Sequence, residues 1–120
     1  MATSSYRDLT QTVSRQLGTL RSSTPDVMKA FNDLGRAATA DGVLDKKTKE
    51  LIALALSVAV RCDPCIGFHT QALVKLGATR QELDETLGVA TYMGGGPSLM
   101  YAAAAVAAFD EFAAAATSAG

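Results

Sequence analysis

The chain has 120 residues, enough for one ordinary domain with a real core and short for two. Eleven Lys and Arg against twelve Asp and Glu leave a formal net charge of -1, so no broad positive field is available to hold a phosphate backbone, and nucleic acid is not an expected partner. Apolar residues make up 48% and aromatics only 6%, with Ala recurring throughout, which predicts an all-α fold of about six helices packed closely through small side chains.

The first segment, Tyr6 to about Leu20, is polar, and residues 1–20 mix Ser, Thr, Arg and Asp without the apolar run of a secretory signal. Export is not expected, the location expected is the cytoplasm, and this segment is read as peripheral. Thr24 then caps a second helix with Pro25 as its first residue and Asp26 complementing the dipole, running to about Ala40 before the Asp41-Gly42 turn. Asp45 is the N-cap expected for a third helix, which carries Glu50 near its start; its run from Leu51 to Val60 is apolar nearly all round and is expected at the centre of the core.

Pro64 disfavours helical angles at the residue before it, so a break is expected at Cys62-Asp63, with Asp63 as N-cap and a fourth helix restarting at Pro64. That helix ends near Leu76-Gly77, and Thr79 with Glu82 forms a capping box for the fifth, whose buried stripe is expected to be Leu83, Leu87, Ala90 and Met93. Gly94-Gly95-Gly96-Pro97 stops it, and Pro97 opens a last, alanine-rich helix with Leu99, Val106, Phe109 and Phe112, followed by a fraying tail over 113–120. Met28, Met93 and Met100 read as core filling, and Tyr92 and Tyr101 as packed rings. The alanine face from Ala102 to Ala108 fits either a monomer core or a close contact between subunits. Leu51 to Val60 and Leu99 to Phe109 both fall short of the roughly 20 apolar residues a bilayer requires. The glycine triplet lacks the context of a phosphate-binding loop.

The chemistry concentrates in one stretch. The two cysteines, Cys62 and Cys65, have the C-x-x-C spacing, which in a chain with no export signal points to redox or metal chemistry. Cys65 falls in the first turn of the fourth helix, where the helix dipole favours the nucleophilic thiolate. His69 lies four residues on, one turn away on the same face, as an acid/base partner. Glu50 precedes Cys62 by twelve residues, and one unbroken helix would hold them about 18 Å apart. The break at Pro64 lets the two helices pack side by side, so that Glu50 can approach the thiols. Zinc is the rival reading, with Cys62, Cys65 and His69 as three ligands and Glu50 or Asp63 as a fourth. Neither a metal nor a bound cofactor is the expectation.

Glu50, Cys62-Asp63-Pro64-Cys65 and His69 together reproduce an E-x11-C-x-x-C-x3-H pattern that resembles the alkylhydroperoxidase D-like family of the carboxymuconolactone decarboxylase superfamily. The resemblance extends through Lys49 to Ala55, Ile66-Gly67-Phe68-His69, the Gly77-Ala78 turn and Met93 to Pro97, covering roughly Val43 to Phe109. It implies a single all-helical domain over 1–120, with its core at about 43–109 and with 113–120, like 1–20, peripheral. It also implies a homo-oligomer, a trimer or a hexamer.

The activity implied is that of a thiol-dependent peroxidase: Cys65 attacks a small hydroperoxide, Cys62 resolves, and Glu50 and His69 move protons. The disulfide Cys62–Cys65 is then reduced by an external thiol or a lipoylated donor protein. Where well-known peroxidase members carry a histidine inside the C-x-x-C, this chain has Asp63 and Pro64. Two other readings keep the same fold: a decarboxylase-type enzyme of aromatic catabolism, and a non-enzymatic helical oligomer whose cysteines sense redox state.

Overall fold

The computed structural model describes residues 5–119, with side chains through 117, and the described residues form six α-helices. They are α1 (Tyr6–Ser23), α2 (Pro25–Thr39), α3 (Lys46–Ala59), α4 (Asp63–Lys75), α5 (Arg80–Gly94) and α6 (Gly96–Ala119). The all-α class expected from composition is the class observed. The last expected tail residue, 120, lies outside the described residues, and α6 continues through most of that tail to Ala119.

Local chemistry accounts for most boundaries. Ser5 caps α1 through its hydroxyl, which accepts the Asp8 N–H, and Asp45 caps α3 by accepting from the Thr48 N–H. Thr79 and Glu82 form both bonds of the capping box at the start of α5. Gly77 takes the left-handed conformation that closes α4: its N–H donates to the Val74 carbonyl while the Ala78 N–H reaches back to Leu73. The long apolar helix begins one residue earlier than expected, at Gly96, because Gly95 supplies the positive φ of the turn.

Helix α4 packs against α1, α3 and α6, and α5 packs against α3 and α6, so α4 and α6 form the middle of the molecule. Leu54 and Val58 of α3, Ile66 and Leu73 of α4, and Leu83 of α5 are wholly buried, each stabilising the fold by about 1.5–3 kcal/mol. Ala102, Ala105 and Ala108 join them with Phe109 and Phe112, so the buried part of the alanine face serves the core of the chain itself. By length and composition Gly96–Thr117 is apolar enough to cross a membrane, a longer run than the Leu99–Phe109 stretch read from sequence. Of that window 28% is buried, through the face of Ala102, Ala105, Ala108 and Phe109.

Several expectations are corrected. Helix α1, read as peripheral, is tied in: Thr10 is buried, Tyr6 packs against the core, and α1 crosses α4 at Gly67. A Cβ on Gly67 would stand 2.6 Å from Cγ2 of Thr10, so only glycine permits this approach. Helix α3 is central on one side only; Ile52, Leu56 and Val60, spaced four apart, form a second apolar face that is exposed. Met93, Met100 and Tyr92 are exposed, at 76%, 64% and 85%, because they lie at the glycine corner on faces that α5 and α6 turn away from each other.

Candidate functional site

Helix α3 closes with a left-handed residue that sequence reasoning missed. Arg61 has φ 60°, its N–H donates to the Val58 carbonyl, and the Cys62 N–H reaches back to Ser57, the same pair of bonds that glycine makes at the end of α4. This turn folds α4 back along α3 and sets Cys62 at its head. Cys62, not Asp63, is the N-cap: its backbone is extended and its Sγ accepts the Cys65 N–H at 3.2 Å. Asp63 and Pro64 are therefore the first two helical residues, where proline's missing N–H costs nothing. Cys65 sits in the first turn, as expected.

The structure brings the four candidate residues together as two pairs. Cys62 and Cys65 are joined in a disulfide with their Cα atoms 5.2 Å apart, and both are half-buried. Glu50 and His69 are hydrogen-bonded at 2.6 Å between Oε2 and Nδ1, across the α3–α4 contact. Glu50 is buried, at 6% exposure, while the His69 side chain keeps 31% of its surface in solvent. An ionised carboxylate can only accept, so with Glu50 in that form the bond is donated by a protonated Nδ1 and Nε2 is the ring nitrogen left for other partners. His69 lies one turn after Cys65 on the same face of α4.

Such an arrangement can make and break a disulfide near solvent while a buried carboxylate fixes the tautomer of the neighbouring imidazole. Among the described residues no group of three or more His, Cys, Asp and Glu side chains is arranged to hold a metal ion. The two sulfurs that the zinc reading takes as ligands are bonded to each other.

A further contact was not legible in the sequence. The Tyr6 hydroxyl donates to Oδ1 of Asp63 at 3.4 Å, and Glu111 of α6 accepts the Tyr6 and Arg7 N–H groups at 3.0 and 2.9 Å. Partial burial, followed by the negative charge of Asp63, pushes the Tyr6 phenol up to about 12. No spacing rule joins residues 57 and 105 positions apart. Only the turn at Arg61 and the crossing at Gly67 bring them together.

The sequence profile of the carboxymuconolactone decarboxylase family matches residues 25–109. The chain belongs to this family. An uncharacterized protein of Cupriavidus necator is 47% identical over 98 residues, which span 82% of this chain and 87% of that one. Uncharacterized protein 4 in the cox locus of Paracoccus denitrificans is 39% identical over 82 residues, spanning 68% of this chain and 74% of that one. The fold superposes on the crystal structure of an apo family member from Legionella pneumophila with a TM-score of 0.88 and 60% identity, covering 90% of this chain and 96% of that one. A family member from Thermotoga maritima, for which a part in an antioxidative response has been suggested, gives 0.70 and 35%, covering 76% of this chain and 94% of that one.

Proposed function

We propose that the protein is a thiol-dependent peroxidase of the alkylhydroperoxidase D-like type, which reduces small hydroperoxides through a dithiol–disulfide cycle. The observation that carries this reading is the half-buried Cys62–Cys65 disulfide at the head of α4, one turn from an imidazole held by a buried glutamate. The antioxidative role suggested for the family member from Thermotoga maritima agrees with it. The reaction from which the family takes its name does not depend on a pair of thiols, and this chain's distinguishing feature is such a pair.

In the reduced enzyme the Cys65 thiolate attacks the terminal oxygen of the hydroperoxide. The O–O bond breaks, the alcohol leaves with a proton delivered from His69, and Cys65 becomes a sulfenic acid. The Cys62 thiol then displaces that hydroxyl as water, forming the disulfide. An external dithiol, a lipoylated protein or a small thiol, returns two electrons and two protons by thiol–disulfide exchange. Glu50 holds His69 and shares its proton through the cycle. The need for a reducing thiol donor suits the cytoplasm. The exposed apolar faces of α2 and α3 suit a homo-oligomer.

A single-turnover experiment tests the chemistry. Reduced protein given one equivalent of an organic hydroperoxide forms the Cys62–Cys65 disulfide within the turnover, and Cys62→Ser accumulates a sulfenic acid on Cys65 that a dimedone probe captures. Capture of the sulfenic acid on Cys62 in Cys65→Ser, with none on Cys65 in Cys62→Ser, reverses the two roles. No oxidation by hydroperoxide in either variant rejects the peroxidase.

A further inference from the structure

The dithiol cycle leaves the two inner residues of the C-x-x-C without a task, yet the fold gives one of them a partner held from three sides. Asp63 is the first residue of α4, its Cα about 3.8 Å from that of Cys62, and it shares the first helical turn with Cys65. Its carboxylate accepts from the Tyr6 hydroxyl. Tyr6 is itself placed with care. Both carboxylate oxygens of Glu111 hold the backbone at the start of α1, and the Tyr6 ring lies beside Gly67, where a Cβ would be in ordinary contact with Cδ1 at 3.4 Å. Helices α1, α4 and α6 thus converge to place one phenol within a long, 3.4 Å hydrogen bond of an exposed carboxylate.

Two opposing influences act on the sulfurs at this helix start. The N-terminus of α4 carries about half a positive charge and favours a thiolate. The Asp63 carboxylate, next in the chain to Cys62 and in the same first turn as Cys65, adds negative charge there and disfavours it. Around this corner, His69 of α4 is hydrogen-bonded to Glu50 of α3, and Tyr101 and Glu111 of α6 act with Asp63 on the Tyr6 phenol, while Arg61 ends the turn that precedes Cys62. Asp63 alone among them lies inside the C-x-x-C.

We propose that Tyr6 and Asp63 are positioning residues that set the charge state of the Cys62–Cys65 dithiol. The Tyr6 hydroxyl orients the Asp63 carboxylate at the head of α4, and that fixed negative charge offsets the helix terminus and keeps the attacking thiol protonated to higher pH. Where thiolate forms, the same charge disfavours the reduced state and tilts the pair toward the disulfide, which makes it the stronger reductant. The inference takes its catalytic meaning from the dithiol reading above, but its test reads only the thiols and runs whether or not peroxide is consumed.

The test compares reduced wild type with Asp63→Asn, Tyr6→Phe and the double variant. The rate of iodoacetamide alkylation is followed against pH, and the disulfide fraction is measured at fixed ratios of dihydrolipoic to lipoic acid, a couple that exchanges two electrons and two protons with the pair. In Asp63→Asn the alkylation curve moves to lower pH, with alkylation about three- to tenfold faster near pH 6.5, and the disulfide fraction falls. Tyr6→Phe moves both in the same direction by less, and adds nothing once Asp63 is already Asn. Asp63→Glu retains the wild-type curve. An unchanged or upward-shifted curve in Asp63→Asn overturns the proposal, as does a Tyr6→Phe effect that persists in full beside Asp63→Asn. Should Asp63→Asn fail to fold, a wild-type curve in Tyr6→Phe overturns it equally.

Discussion

The hydrogen bond between Glu50 and His69 joins a buried carboxylate to an imidazole that keeps part of its surface in solvent. Glu50 has been taken almost wholly out of water, a cost that only a strong partner offsets, and a charge-assisted bond of about 1.5–3 kcal/mol to an imidazole is such a partner. Glu50→Gln keeps an acceptor for Nδ1–H but cannot take up a proton, so kcat for hydroperoxide is expected to fall about a hundredfold or more. A wild-type kcat in that variant would remove Glu50 from the proton path. Tyr6 makes a prediction of its own. Its phenol is raised from 10.0 to about 12, so the neutral form is favoured in the fold; the stability it contributes is complete below pH 10 and is lost as pH rises toward 12. Tyr6 should titrate late when absorbance at 295 nm is followed, and Tyr6→Phe should remove that late phase.

Among the elements, the two turns that bracket α4 make the same pair of backbone bonds from very different sequence. Gly77 is visible as a helix stop because glycine is the residue that left-handed positions favour, whereas Arg61 gives no such signal. The Pro64 rule located the break but set the cap one residue late, since it weighed Asp63 as the oxygen acceptor and passed over the Cys62 sulfur. The candidate residues themselves were legible because C-x-x-C, the i+4 histidine and the upstream glutamate all lie between positions 50 and 69. The Tyr6–Asp63 contact was not, because it depends on how α1 crosses α4. Arg61→Gly relieves the left-handed strain without touching a sulfur, and urea unfolding should show a gain of up to about 1 kcal/mol. A clear loss would mean that the Arg61 side chain contributes more than its backbone costs.

For the whole molecule, the uneven feature is α2. Its 15 residues bury none of their number, and Val27, Phe31 and Leu34 line one exposed face, Phe31 at 68%. The radius of gyration, 14.7 Å, exceeds the about 13.6 Å expected of a compact chain this long. Burying such a stripe against another copy would recover about 1.5–3 kcal/mol for each large side chain covered. Composition predicted apolar helices correctly, but a periodic stripe reads the same whether it faces its own core or a neighbour's. That is why Ile52, Leu56 and Val60 were assigned to the core from sequence. Phe31→Glu should lower the sedimentation coefficient toward that of a monomer in analytical ultracentrifugation while leaving helical content unchanged. A monomeric wild type would leave the α2 face with another occupant.

The peroxidase itself is tested most directly by steady-state consumption of a small organic hydroperoxide with dihydrolipoamide as donor, in wild type and Cys65→Ser. A dithiol peroxidase gives sustained turnover in the wild type and none above background in the variant. Equal consumption by the two proteins, or none by a wild type whose Cys62–Cys65 disulfide dihydrolipoamide readily reduces, would contradict it.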